Sequence, residues 1–256
     1  MDGSEKDAGL KRVGVTGRRL MRIQGEPPYR NRTDAGRALA QSLEREAGND
    51  AVVFGIPRGG IPVSAEVAKD LGLKLDIVVP RKIPIPGNTE AGYGAVTEDG
   101  IIVLNDILVA QLGLSEREIQ SHAQEVTEEI GRRLSLYRTK IGPSSVEGRK
   151  AIIIDDGLAS GYTMLAAIES LRKRGAVRVI AASPVASSHA RELLKFHADG
   201  MIVPIVSSAY PFAVAEFYEH WHDLTDDEVL EELERYGKSL GKKADAARGS
   251  VLGKTG

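Results

Sequence analysis

The stretch 151–163, Ala-Ile-Ile-Ile-Asp-Asp-Gly-Leu-Ala-Ser-Gly-Tyr-Thr, constrains the fold more than any other. Its first four residues are an unbroken apolar run, the pattern of a strand buried on both faces of a helix-covered sheet. Asp155 and Asp156 stand where that strand ends. Small and hydroxyl-bearing residues follow through Thr163, and a helix is expected over 164–173. In an open α/β sheet the carboxyl ends of the strands form the crevice in which ligands bind. A turn entering a helix N-terminus there offers free N–H groups and the positive end of the dipole, which favour a phosphate. Two adjacent carboxylates accept hydrogen bonds from neighbouring hydroxyls. A phosphorylated sugar satisfies both halves. The plainer alternative is a strand–turn–helix in which Asp155 only caps the helix; a cap needs one acid and no Ser-Gly-x-Thr.

A second loop offers itself to an anion. The strand expected over 51–55 runs into Ile56-Pro57-Arg58-Gly59-Gly60, with a helix over 63–71. Adjacent glycines permit close backbone approach and Arg58 adds a permanent charge, although an ordinary glycine turn reads the same way. Further strands are expected at 74–80, 177–182 and 200–205, with a helix over 187–196 between the last two. That alternation implies parallel pairing. Thr33 is the expected N-cap of a helix over 34–46. Arg81-Lys82 precedes a stretch, 83–90, read as a long irregular loop. The strands 94–97 and 101–104 flank Glu98-Asp99-Gly100, a hairpin signal. Ser115 and Glu118 form a capping box for a helix reaching about Tyr137. One face of it, carrying Glu125, Glu128, Glu129, Arg132 and Arg133, reads as a solvated, ion-paired surface without chemistry.

The fold class expected is α/β, a mostly parallel central sheet flanked by helices. The domain spans 29–236, between a flexible leader at 1–28 and a disordered tail at 237–256. A net charge of −2 over 256 residues argues against nucleic acid or an anionic membrane surface as partner. The absence of cysteine excludes disulfides and thiol chemistry. No apolar run is long enough to span a bilayer, and no secretory signal is visible, so a cytoplasmic protein is expected. Tyr210, Phe212, Phe217, Tyr218 and Trp221 concentrate the aromatics late in the chain; they suit either a planar ligand or core packing.

With hydrophobic run, paired acids, Ser-Gly-x-Thr and helix in place, the sequence resembles the type I phosphoribosyltransferases, which use 5-phosphoribosyl 1-diphosphate (PRPP). The phrases Ile-Pro-Arg-Gly-Gly-Ile-Pro-Val, Val-Val-Pro-Arg-Lys and Glu-Asp-Gly are similar to those of a group of predicted members with unassigned acceptors. The resemblance covers about 31–236 and implies the family's fold, with a mobile hairpin and a small hood. It implies that Asp155 and Asp156 bind the ribose hydroxyls and that Gly157, Ala159, Ser160, Gly161, Tyr162 and Thr163 cradle the 5′-phosphate. Arg58, Gly59 and Gly60 would receive the pyrophosphate, with a cis peptide expected at Arg58–Gly59. Arg81 and Lys82 would meet the leaving group as catalytic residues, with Glu98 as the nearest match to a loop glutamate of adenine phosphoribosyltransferase. Tyr210 and Phe212 are the acceptor-binding candidates. Ala159 stands where hypoxanthine–guanine enzymes carry an aspartate, as it does in adenine enzymes.

The implied reaction displaces pyrophosphate from PRPP by a nucleobase-like nitrogen, with Mg2+ held mainly through PRPP rather than by direct protein ligands. The expected partners are PRPP and a small acceptor, in a homodimer. The rival is a non-catalytic PRPP or nucleotide sensor of the same fold.

Overall fold

The computed structural model describes residues 10–12 and 26–252, except the side chains of 10–12, 89–90 and 240–252. Most of the expected leader, and the last four residues of the expected tail, lie outside the described residues. Five parallel strands form the central sheet: β2 (Ala51–Gly55), β3 (Lys74–Ile77), β7 (Lys150–Ile154), β8 (Arg178–Ala182) and β10 (Gly200–Ile202). Their order is β10-β8-β7-β2-β3. Chain order reverses between β2 and β7, where Gly55 sits opposite Ile154, so the two loops singled out in the sequence leave the sheet side by side. In doubly wound sheets a crevice opens at such a switch point.

Alternation along the central strands builds two cores. Val53, Ile152 and Ile154 face one side, with Leu39 and Leu43 of α1 (Arg32–Ala47), Ile61 and Val67 of α2 (Gly60–Leu71) and Ile119 and Ile130 of α4 (Glu116–Tyr137). Phe54, Ala151 and Ile153 face the other, against Met164, Ile168 and Leu171 of α5 (Tyr162–Lys173) and Leu194 of α6 (Ser188–Leu194). Each of these strand side chains is fully buried, a burial worth roughly 1.5–3 kcal/mol apiece for the valine, isoleucines and phenylalanine.

Several expected boundaries move. The N-cap of α1 is Asn31, whose side chain accepts the Asp34 N–H at 2.9 Å, so the helix begins two residues before the expected start. Asn caps at least as well as Thr, and the shift places Arg32 in the first turn. The stretch 83–90 is no irregular loop. β4 (Arg81–Ile85) pairs antiparallel with β5 (Asn88–Val96), and β5 with β6 (Ile102–Leu104). Pro84 fits because β4 is an edge strand whose register shifts on both sides of it, and Pro86 falls in the turn between β4 and β5. A short helix, α3 (Asp106–Leu112), follows. The strand expected at 200–205 divides into β10 and β11 (Ile205–Ser207). The latter joins a small sheet with β9 (Val185–Ser187) and β1 (Leu10–Arg12), a strand within the expected leader. An edge strand carries unpaired N–H and C=O groups that any extended segment can satisfy.

The last helix, α7 (Asp226–Leu252), continues past Tyr236, the expected end of the domain, into the stretch expected to be a disordered tail. Tyr236 fastens it to the sheet edge: its hydroxyl donates to Leu73 O at 2.9 Å and accepts the Leu75 N–H at 3.0 Å. Tyr236→Phe is therefore expected to cost about 1–2 kcal/mol, because an edge N–H loses its buried partner. A shifted urea midpoint with unchanged slope is the measurement; an unmoved midpoint would contradict the role.

Candidate active site

The loop between β2 and α2 differs from expectation in one bond. The cis peptide is Pro57–Arg58, not Arg58–Gly59. Gly59 already has helical dihedrals (φ −62°, ψ −33°) as the cap of α2, and Gly60 N–H donates to Ile56 O at 3.0 Å, so the Arg58–Gly59 bond belongs to the helix start. The glycines bring that start against the acids. A Cβ on Gly59 would lie 1.9 Å from Asp156 Oδ2, and one on Gly60 would lie 2.6 Å from Ile154 O.

The loop after β7 is held from below. Leu158 N–H donates to Val185 O at 2.9 Å, Ser187 N–H to Leu158 O at 2.8 Å and Ser187 Oγ to Ala159 O at 2.6 Å. Ala159 and Ser160 are left exposed. Gly161, at φ 87°, heads α5 without any side-chain cap, and Leu165 N–H donates to Gly161 O at 2.9 Å as the helix ladder begins. The first-turn N–H groups of Tyr162 and Thr163 therefore precede the ladder, where a phosphate would be favoured.

The two acids face different cavities. Asp155 lines one of about 240 Å3, with Arg58, Arg81, Lys82, Arg133 and Thr163. Asp156 lines another of about 250 Å3, with Arg32, Gly59, Val214, Trp221, Asp223 and Leu224, and Arg58 borders both. Burial, and next the neighbouring charge of Asp156, push the Asp155 carboxyl well above the ordinary aspartate range. Asp156 is tied down. Its Oδ2 accepts from Arg32 Nε at 2.7 Å, and its backbone oxygen accepts from the Tyr218 hydroxyl at 2.6 Å. Burial first, and then the charge of Asp156, push that hydroxyl's pKa up. The Arg32 guanidinium also donates to His222 O at 3.0 Å and lies 3.8 Å from the Trp221 ring centroid.

Of the residues named from the sequence, Arg58, Arg81, Lys82, Asp155 and Thr163 meet in the first cavity, and Asp156 and Gly59 in the second. Gly157 packs under Val214, where a Cβ would come within 2.3 Å. Glu98 lines neither cavity. It accepts the Val79 N–H at 3.0 Å and stands 3.7 Å from Arg174, and burial above all raises its carboxyl's pKa. Tyr210 is 98% exposed, while Phe212 packs on Phe217 at 5.5 Å between centroids; neither lines either of these two cavities. No sequence pattern marks Arg32, Arg133 or Val214 for the site, and Trp221 stands in the sequence only among the late aromatics that suit either a planar ligand or core packing. A cap read at Thr33 leaves Arg32 outside the helix, and Arg133 sits in a charge pattern that reads as solvated surface.

A family model described as a phosphoribosyl transferase domain matches residues 29–216. A Mycobacterium tuberculosis H37Rv protein named "Putative phosphoribosyl transferase" is 38% identical over 207 residues, covering 81% of this chain and 46% of that protein. The chain thus spans about half the length of that relative. A uracil phosphoribosyltransferase of Streptomyces coelicolor is 29% identical over 150 residues, covering 58% of this chain and 63% of its own. The crystal structure of a protein from Thermus thermophilus matches with a TM-score of 0.69 at 34% identity, covering 81% of this chain and 98% of that one.

Proposed function

The chain belongs to the type I phosphoribosyl transferase family, and on that footing we propose that it transfers the 5-phosphoribosyl group of PRPP to a nitrogen of a small planar acceptor, releasing pyrophosphate. The observation that carries the reading is the first cavity. There Asp155, the start of α5 and the cations Arg58, Arg81 and Lys82 converge at the sheet's switch point.

The 5′-phosphate lies on the stretch 159–163, against the N–H groups that open α5. The ribose hydroxyls bridge Asp155 and the free oxygen of Asp156. Arg58, Arg81 and Lys82 hold the pyrophosphate, and Arg58 reaches it from the wall shared by both cavities. Positive charge grows on the ribose as the bond to pyrophosphate stretches, so carboxylates below and cations around the leaving group favour that charge separation without reorganising. The acceptor takes the second cavity, with its ring against Val214, Trp221 and Leu224 and its polar edge toward Arg32 and Asp223. The β4–β5 hairpin, which carries Arg81 and Lys82, shields the leaving group from water.

Magnesium fits this donor set. The cavity offers one or two carboxylate oxygens beside a phosphate-binding arc, and Mg2+ is commonly held by so few carboxylates with phosphate oxygens and water. The ion would be held mainly through PRPP, with Asp155 as the carboxylate beside it, and when bound would supply charge neutralisation on the pyrophosphate.

The test is pyrophosphate release from PRPP with Mg2+ across a panel of nucleobases, beside calorimetric binding of PRPP. Release with at least one base is expected. Binding without release from any base would support the sensor, and absence of binding would end both readings. A pH dependence follows from Asp155. A carboxyl whose folded pKa is raised takes up protons at a pH where the unfolded chain has lost them, and ligand hydroxyls and Mg2+ prefer it ionised. Affinity for Mg·PRPP is therefore expected to fall as pH drops through the raised value, with proton release on binding seen as a buffer-dependent enthalpy. Asp155→Asn should lower that release, the remainder coming from the ligand's phosphates, whose second ionisation lies at about pH 6; an unchanged release would rule out Asp155 as a source.

A further inference from the structure

Helix α4 contributes a pair that the sequence assigns to a solvated face. Arg133 lines the first cavity, whereas Arg132, Glu125 and Glu128 on the same helix are exposed and do not line it. One turn earlier, Glu129 uses a single oxygen, Oε1, for two cations: Arg133 at 3.2 Å and Arg81, in close contact, from β4. An i,i+4 ion pair within a helix needs no partner from elsewhere. Here a guanidinium 48 residues away in sequence closes on the same oxygen. Each guanidinium reaches that oxygen through one nitrogen, Nη1 of Arg81 and Nη2 of Arg133, and charge-assisted contacts of this kind serve phosphate oxygens as well as carboxylates.

Resting on the reading of the first cavity as the pyrophosphate seat, we infer that Arg133 is a further leaving-group-binding residue and Glu129 its resident counter-ion. Pyrophosphate entering the cavity draws Arg81 and Arg133 away from Glu129, whose carboxylate, 37% exposed, is rehydrated as they leave. The competing carboxylate lowers the affinity for free pyrophosphate and so helps the product depart. No bond is made or broken in the exchange; ion pairs trade partners.

Calorimetric titration with magnesium pyrophosphate tests this on the full chain. E129Q is expected to bind roughly tenfold more tightly than the wild type, and R133Q roughly tenfold more weakly, the scale of one charge-assisted hydrogen bond. E128Q removes the same charge from a neighbour outside the cavity and should stay within about twofold, which separates the local clasp from the general field. R133K keeps the charge without the fork and should fall between R133Q and the wild type, and it guards against a folding defect in R133Q. Equal affinities of E129Q and E128Q, or of R133Q and the wild type, would overturn the inference while the wild type still bound PRPP. A wild type that bound neither PRPP nor pyrophosphate would instead remove the functional reading beneath it.

Discussion

Replacing Asp156 by alanine is expected to lower unfolding free energy by about 3–5 kcal/mol, the usual cost of stranding one member of a buried ion pair, and to abolish PRPP binding. The pair is well shielded, with side chains 8% and 12% exposed for Arg32 and Asp156. The guanidinium has nowhere better to go: it is hydrogen-bonded to His222 O and stacked on Trp221. Loss of stability alone would not distinguish a ribose ligand from a structural acid, so the double variant Arg32→Leu/Asp156→Leu is the informative partner. Removing both charges usually recovers most of the loss, because two desolvated ions are exchanged for apolar contact. Recovery of the urea midpoint without recovery of PRPP binding is the expected result. A double variant that bound PRPP normally would exclude Asp156 from the ribose site, and a single variant as stable as the wild type would show that the pair carries no structural weight.

The parts of this molecule that could be read from sequence are those in which one local pattern has one physical outcome. Four apolar residues before two acids form the strand buried on both faces that the pattern implies, and Ser115 with Glu118 forms the expected capping box. Asp99-Gly100 turns the chain as expected, with Gly100 at φ 77°. Pattern fails where tertiary pairing decides. Pro84 looks like a loop residue until an edge strand with shifted register accommodates it, whereas Pro86 does sit in the turn between β4 and β5. Arg133 and Arg132 are adjacent and alike, and only the packing of α4 beside β4 determines which one meets a cavity. Arg32 depends on a cap that two neighbouring residues could both have supplied. The exposed aromatic Tyr210 illustrates the converse: composition drew it toward the acceptor, whereas Trp221, later in the same aromatic cluster, is the ring that lines the second cavity.

Gly60→Ala is expected to destabilise the protein by about 1–3 kcal/mol, the range for overpacking a site that cannot yield, and to weaken PRPP binding by more than about tenfold, over about 1.4 kcal/mol. Intrinsic preference points the other way, since alanine favours a helix by about 1 kcal/mol over glycine. What decides the sign is what the methyl meets. At Gly60 the nearest atoms are Ile154 O at 2.6 Å and the Asp155 Cα at 3.0 Å, both backbone at the end of the central strand. Neither can swing aside, so the start of α2 must lift away, carrying Arg58 from Asp155. Gly131→Ala is the comparison, because nothing lies within 4 Å of its Cβ position in the middle of α4; there the helix preference acts alone and stabilises by up to about 1 kcal/mol. Opposite signs for the two substitutions in urea unfolding are expected. Matching signs would mean that the close approach of α2 to the acid-bearing strand does not limit the site, and the convergence of Arg58 with Asp155 would need another cause.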